Sequence, residues 1–185
     1  MATSPLKKRW KIAPRLSREA AQQLEGFSPV LQQILYHRGY HTAQAAQAYL
    51  AALPPEGTSP WHLSGMEAAV QRILWAIQKR QSIIVYGDYD ADGVTATALL
   101  KLALQALGAE VQGYIPNRFE EGYGLNLDAL NNLRQQGADL IITVDCGVRS
   151  PLEVAEAQRR GLDLIITDHH QPGPEIPPAC AVINP

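Results

Sequence analysis

From Gln81 onward, short continuous apolar runs alternate with segments of helical period. The runs are Ile83-Ile84-Val85, Val111–Ile115, Leu140–Val144 and Leu164–Thr167, with Ala181-Val182-Ile183 as a fifth. They are strand-length and polar on neither face, which is how strands covered on both sides read. Helical segments lie between them: about Val94 to Leu107, about Leu127 to Gln136, and from Pro151 up to Gly161. Gly108, Gly137 and Gly161 stop them. Ser150-Pro151-Leu152-Glu153 carries a capping box with Pro at the first helical position. Strands alternating with helices predict an α/β fold, a parallel sheet with helices on both faces.

The first sixty residues follow a different pattern. Ser28-Pro29 opens an amphipathic segment, Val30-Leu31 and Ile34-Leu35, that stops at Gly39. Thr42 caps a second, Ala-rich helix through Leu50. Leu53-Pro54-Pro55-Glu56-Gly57 and Ser59-Pro60 form a linker. Ser64-Gly65-Met66-Glu67 reads as another capping box. The helix behind it has one stripe: Met66, Ala69-Val70, Ile73-Leu74 and Ile77. Two parts are therefore expected, a small helical leader over 1–60 and an α/β domain over 61–185.

One stretch nearly repeats. Gly137-Ala138-Asp139-Leu140-Ile141-Ile142-Thr143 returns as Gly161-Leu162-Asp163-Leu164-Ile165-Ile166-Thr167. Two adjacent strands solve one packing problem. Aligned by the repeat, Asp168 takes the place of Val144, so His169 falls level with Asp145.

The chemistry sits where the apolar runs stop. Gly87-Asp88-Tyr89-Asp90-Ala91-Asp92-Gly93 follows the first run, Asp145 the third, and Asp168-His169-His170 the fourth. Parallel strands bring all of these groups to one edge, where open sheets bind ligands. So many carboxylates in one crevice repel one another unless cations are bound. Oxygen donors with imidazole and no thiolate suit Mn²⁺, with Mg²⁺ as the alternative. Asp145, between the other strand ends, is the natural bridging ligand of two ions. The acidic loop also resembles the start of a calcium loop, but the twelfth position from Asp88 is Leu99, not Glu.

Asn117-Arg118-Phe119-Glu120-Glu121-Gly122-Tyr123-Gly124 follows the second strand. Two readings stand. Arg118 grips a phosphate while Tyr123 stacks near it; or the segment is a glycine-rich turn with Arg118 paired to Glu120 or Glu121. Cys146 reads as a small buried residue, having no cationic activator. His37, His41 and His62 lie away from the strand ends and read as structural or surface groups.

Bulk properties add limits. The 185 residues are 46% hydrophobic and 18% charged, an ordinary globular composition. Net charge is −2, unevenly spread. Residues 1–60 hold seven Lys or Arg against three acids; the remainder holds nine against fifteen. A solvated basic terminus accounts for this, as does a polyanion held beside acid-bound cations. Two cysteines make neither a disulfide framework nor a zinc spacing, and no run is long enough for a membrane span. A reducing, cytoplasmic location is the default.

Asp88-Tyr89-Asp90-Ala91-Asp92-Gly93, Asp145-Cys146-Gly147 and Asp168-His169-His170 resemble the first three motifs of the DHH phosphoesterase superfamily. Leu31 through Leu50, and Arg118 with Glu121-Gly122-Tyr123-Gly124-Leu125, are similar to parts of its single-strand-specific 5′-to-3′ DNA exonucleases. The resemblance implies a metal-dependent phosphodiesterase of DNA repair and recombination, acting on single-stranded DNA with two Mn²⁺ and no covalent enzyme intermediate. It implies Asp88, Asp90, Asp92, Asp145 and His169 as metal ligands, His170 at the scissile phosphate, and Asp168 as a partner that orients a histidine. Many members have His at the position of Tyr86; with Tyr there, Asp88 or water would take over. Members also continue past Ile183-Asn184-Pro185 into a fourth motif and a nucleic-acid-gripping domain. The expectation is therefore an incomplete domain, inactive or weak alone. The alternatives are a relative acting on oligoribonucleotides, cyclic dinucleotides or pyrophosphate, and a non-catalytic binding module.

Overall fold

A computed structural model describes residues 11–52, 57–119 and 121–185. The basic cluster Lys7-Lys8-Arg9, the linker core 53–56 and Glu120 lie outside them. The chain divides into two compact units, Met1–Thr58 and Ser59–Pro185.

Among its described residues the first unit has three short helices: α1 (Arg18–Gln22), α2 (Pro29–His37) and α3 (Ala43–Leu50). Ser17, Ser28 and Thr42 cap them, each accepting a backbone N–H of the first turn. Leu24, Leu35 and Ala46 form its core, with Phe27, Leu31, Tyr36 and Tyr40 packed against them. His37 Nε2 lies 2.9 Å from the Pro14 carbonyl, and the His41 ring packs on Tyr36.

The second unit follows the alternation of the sequence. Its elements are α4 (Met66–Gln78), β1 (Ile83–Gly87), α5 (Ala91–Ala106), β2 (Val111–Tyr114), α6 (Leu127–Gln135), β3 (Leu140–Val144), α7 (Pro151–Arg159), β4 (Asp163–Thr167) and β5 (Ala181–Ile183). All strand pairs are parallel, in the order β2-β1-β3-β4-β5. Every residue of β1 and β3 is buried. Alternate side chains divide between two layers. Ile84, Tyr86, Ile141, Leu164 and Ile166 pack with Leu130 and Leu133 of α6 and Val154 of α7. Ile83, Val85, Leu140, Ile142 and Ile165 pack with Ala69 and Ala76 of α4 and Leu104 of α5. The strand order reverses between β1 and β3, so a crevice opens beyond their carboxyl ends.

Several local expectations fail for physical reasons. Ser64 does not cap α4. Gly65 takes that position at φ 78°, where a Cβ would lie 2.6 Å from the Val182 carbonyl oxygen. Pro151 does start α7, but the Ser150 side chain makes no capping hydrogen bond. Helix α5 begins at Ala91, before the expected Val94, because Asp90 caps it. Leu74, assigned to the buried stripe of α4, is exposed, while Ala76 is fully buried. The repeat also misleads by one residue. Leu140 pairs with Asp163 and Val144 with Thr167, so Asp145 runs level with Asp168 rather than His169.

Candidate metal centre

Three strand ends supply the site, and each turns by a different device. After β1, the loop reverses into α5. Asp90 accepts the N–H groups of Asp92 (2.9 Å) and Gly93 (3.0 Å). Gly93 is a steric requirement: a Cβ there would lie 2.5 Å from the Asp88 backbone nitrogen and oxygen. Absence of that carbon lets the first turn of α5 close on the strand end, so Asp88 and Asp90 stay together. Asp88 is buried, and its Oδ1 accepts the Tyr89 N–H at 2.6 Å.

After β3, Asp145 adopts the left-handed conformation at φ 63°, and Gly147 follows at φ 104°. A non-glycine residue held there marks a constrained turn. The turn brings Asp145 Oδ1 to 2.8 Å from His169 Nε2, despite the register that sets Asp145 opposite Asp168. The pair is a close charge contact, and both Asp145 carboxylate oxygens are buried with no backbone N–H, Lys or Arg on them among the described residues. Burial and then the charge of Asp90 raise the Asp145 carboxyl above its ordinary pKa, against the pull of His169.

After β4, Asp168 holds the loop. Its Oδ1 accepts the N–H groups of His169 (2.8 Å) and His170 (3.0 Å) and lies 2.8 Å from His170 Nδ1. Its Oδ2 accepts the Val148 N–H at 3.0 Å. Burial pushes the Asp168 pKa up, but these bonds outweigh it and the net shift is downward. The Asp168 hydrogen bond in turn raises the pKa of His170. Asp168 thus accepts three backbone N–H groups, whereas the Asp145 carboxylate accepts none among the described residues and meets only the histidine rings.

Two groups of donors result among the described residues. Asp88, Asp90 and Asp145 bring one oxygen each within 4.8 Å of one another; an Asp145 oxygen and one ring nitrogen each of His169 and His170 do the same. They share Asp145. Asp92 belongs to neither, but lines a cavity of ≈ 300 Å³ with Asp145, His169 and Ile183. No Lys or Arg pairs with any of these acids among the described residues. A buried carboxylate flanked by acids and two imidazoles, with no cationic side chain of its own, is suited to a divalent cation.

The loop after β2 lies beside this centre. Arg118 stacks its guanidinium 4.8 Å from the Tyr89 ring centroid. It does not pair with Glu121, whose carboxylate accepts the Tyr114 hydroxyl and the Asn117 N–H. The Tyr123 hydroxyl lies 3.5 Å from His170 Nε2, and burial with the nearby Asp88 and Asp168 charges raises its pKa to about 12. Tyr86 points away. It is fully buried, its hydroxyl donates to the Gly124 carbonyl at 3.1 Å, and burial raises its pKa. Cys146 is also buried, and burial raises its thiol pKa well above the ordinary value. Sequence reasoning missed Tyr89, although it sits inside the acidic motif. It also missed Arg149 and Asn184, whose polar side chains follow strand ends and could have been examined on that ground.

Comparison with known proteins gives the family. The model of the DHH family, N-terminal domain, matches residues 82–185. A single-stranded-DNA-specific exonuclease RecJ from Bacillus subtilis (strain 168) is 42% identical over 182 residues, 97% of this chain and 23% of that protein. The RecJ of Escherichia coli (strain K12) is 40% identical over 182 residues, covering 97% and 31%. Among solved structures, exonuclease RecJ bound to manganese superposes with a TM-score of 0.64 at 41% identity, over 71% of this chain and 33% of that one. RecJ in complex with Mn²⁺ from Thermus thermophilus gives 0.61 at 34% identity, over 91% and 23%. The chain thus spans about a quarter to a third of the length of these curated relatives. Since the matched segment takes in all three motif-bearing strand ends, the chain belongs to the DHH family.

Proposed function

We propose that this chain carries the metal-binding part of a single-strand-specific DNA exonuclease, a phosphodiesterase acting from a free 5′ end in DNA repair and recombination. The buried carboxylate of Asp145, shared by two donor groups and facing no Lys or Arg among the described residues, carries the reading. Asp88, Asp90 and Asp145 would hold one divalent ion, and Asp145 with His169 a second; Asp92 faces the same cavity and completes the set. Mn²⁺ fits the oxygen-and-imidazole donors, as Mg²⁺ would with fewer nitrogen contacts. When bound, such ions supply Lewis-acid polarisation of a phosphoryl oxygen and an acidified water.

The protein groups have separate tasks. Asp168 fixes the ring of His170 through Nδ1, leaving Nε2 toward Tyr123 and the phosphate side. Arg118, stacked on Tyr89 and free of Glu121, offers its fork to a backbone phosphate. Tyr123 gives a base an aromatic face beside His170. Residues 1–60 form a leader to the domain at 61–185. The exonuclease names of relatives at 40% and 42% identity support the substrate class, and we propose a cytoplasmic location with it.

Calorimetric titration of the chain with Mn²⁺ is the direct test. Saturable binding that Asp145→Asn removes is expected; equal affinity in the variant would refute the shared-ligand reading. Hydrolysis of long single-stranded DNA against dinucleotides, in a protein extended to the length of the relatives, tests the substrate. Preference for dinucleotides would favour the oligonucleotide-phosphodiesterase alternative.

A further inference from the structure

We infer that Asn184 and Arg149 are positioning residues that clamp the histidine loop from two sides. The proposal rests on the metal reading above, but its geometry is independent of any ion.

Residues 168–171 lie in no helix or strand, so their backbone groups need other partners. The N–H groups of His169 and His170 go to Asp168. The carbonyls go outward. Asn184 Nδ2 donates to the Asp168 carbonyl at 2.9 Å and to the His170 carbonyl at 3.0 Å, so it grips the backbone on either side of His169. Both partners are acceptors, which requires the amide nitrogen rather than its oxygen to face them. Arg149 Nε donates to the next carbonyl, that of Gln171, at 2.6 Å. Three carbonyls within four residues are therefore held by side chains from two separate elements.

The fold delivers both clamps. Strand β5 pairs with β4 in the register Thr167↔Ile183, and the Asp168 N–H donates to the Ile183 carbonyl at 3.1 Å. That ladder sets Asn184 directly beside the loop. Arg149 lies four residues after Asp145, in the turn that opens α7. It thus ties the loop bearing the histidines to the loop bearing the shared carboxylate. The 2.8 Å approach of His169 to Asp145 depends on the backbone between these clamps. His169 itself is largely exposed, so little packing would otherwise fix its ring. Asn184 makes two bonds, one of them part-buried, and Arg149 makes a single exposed one, so Asn184 dominates.

The experiment compares Asn184→Asp, Asn184→Ala, Arg149→Ala and Arg149→Lys in the 185-residue chain. Asp keeps the shape of Asn but presents no donor to the carbonyls. Three readouts are taken: backbone amide NMR signals without metal, Mn²⁺ affinity, and Tm. Partners behind metal ligands are worth about 10–100-fold in affinity, and both Asn184 variants should fall in that range. The metal-free amide signals of His169 and His170 should shift or broaden, with those of Leu140–Val144 unmoved. Arg149→Ala should act the same way but more weakly, and Arg149→Lys should recover part of the loss. Unmoved histidine signals with unchanged affinity would overturn the clamp, as would equal disturbance of the whole sheet. If the parent chain binds no Mn²⁺, the metal reading fails, while the metal-free signals still decide the clamp. If the Asn184 variants do not fold, the Arg149→Ala signals decide it: shifted histidines support it, unmoved ones refute it.

Discussion

The two ends of the parallel sheet use the same residue, aspartate, in opposite ways. At the amino end, Asp139 and Asp163 precede β3 and open β4. Asp139 accepts the Ser82 N–H at 3.1 Å and lies 3.6 Å from Arg134. Asp163 bonds Arg72 of α4 at 2.8 Å. At the carboxyl end, Asp88, Asp90 and Asp145 converge with no Lys or Arg partner among the described residues, and the buried Asp145 carboxylate faces only the imidazoles of His169 and His170. Evenly spread acids would leave neither end special. Pairing with arginine at one end and crowding of acids without Lys or Arg at the other separates aspartates that hold the fold from aspartates suited to a cation. The near-repeat in the sequence contains both structural acids, Asp139 and Asp163, and none of the three at the carboxyl end.

The contrast breaks most sharply at Asp145. Partners behind a metal ligand are worth about 10–100-fold, so removing a ligand shared by two ions should cost more than about 100-fold in Mn²⁺ affinity. The metal-free Asp145→Asn protein should be at least as stable as the parent, because a buried, repelled charge is gone. Thermal unfolding with and without Mn²⁺ checks both halves. A variant clearly less stable without metal would place Asp145 among the fold-holding acids instead.

Gly93→Ala tests whether the acidic loop depends on close approach. The added carbon meets the Asp88 backbone at 2.5 Å, so α5 must shift. Overpacking of this kind costs about 1–3 kcal/mol. Here it should also weaken Mn²⁺ binding, since Asp88 and Asp90 separate. A loss of stability with unchanged metal affinity would uncouple the helix start from the site.

Legibility in the sequence follows the kind of force involved. The alternation of apolar runs and helical segments was readable because burial on both faces leaves a continuous hydrophobic record. The convergence of Asp88, Asp90, Asp145 and His169 was readable because parallel strands end on one side. The means of convergence was not. The repeat aligned hydrophobic blocks and so set His169 opposite Asp145, one residue out of the true register. It is the left-handed turn at Asp145 that restores the contact, and backbone handedness leaves no periodic trace. Ser64 matched a capping pattern, yet Gly65 holds the cap position of α4, where the Val182 carbonyl leaves no room for a side chain. Asn184 went unread for a related reason: its bonds depend on how β5 pairs with β4, a long-range fact.

Asp163→Asn sharpens the amino-end side. It leaves the Arg72 guanidinium, only 13% exposed, without its carboxylate partner. An unpaired group of this kind costs about 1–3 kcal/mol, toward the lower end here because the Asp163 side chain is 44% exposed. Mn²⁺ affinity should not change, because the pair lies at the far end of β4. Equilibrium denaturation and a Mn²⁺ titration on one preparation measure both. A drop in metal affinity would mean that strain at one end of the sheet reaches the other.

The smallest effect is expected at Tyr86, on the strand that leads to Asp88. Family resemblance raises the question of a ligand at this position, because many members have His there. The geometry answers it from the packing side: the ring is fully buried against Tyr114, and its hydroxyl donates to the Gly124 carbonyl. Burial also raises its pKa, so a phenolate ligand is disfavoured. Tyr86→Phe keeps the ring and removes one hydrogen bond, a loss of about 1 kcal/mol. Because the hydroxyl anchors the loop that presents Tyr123, the variant should lower affinity for single-stranded DNA slightly while leaving Mn²⁺ binding intact. If Mn²⁺ binding fell as steeply as in Asp145→Asn, Tyr86 would belong with the cation-seeking groups, and the division between the two ends would have to be redrawn through the strand itself.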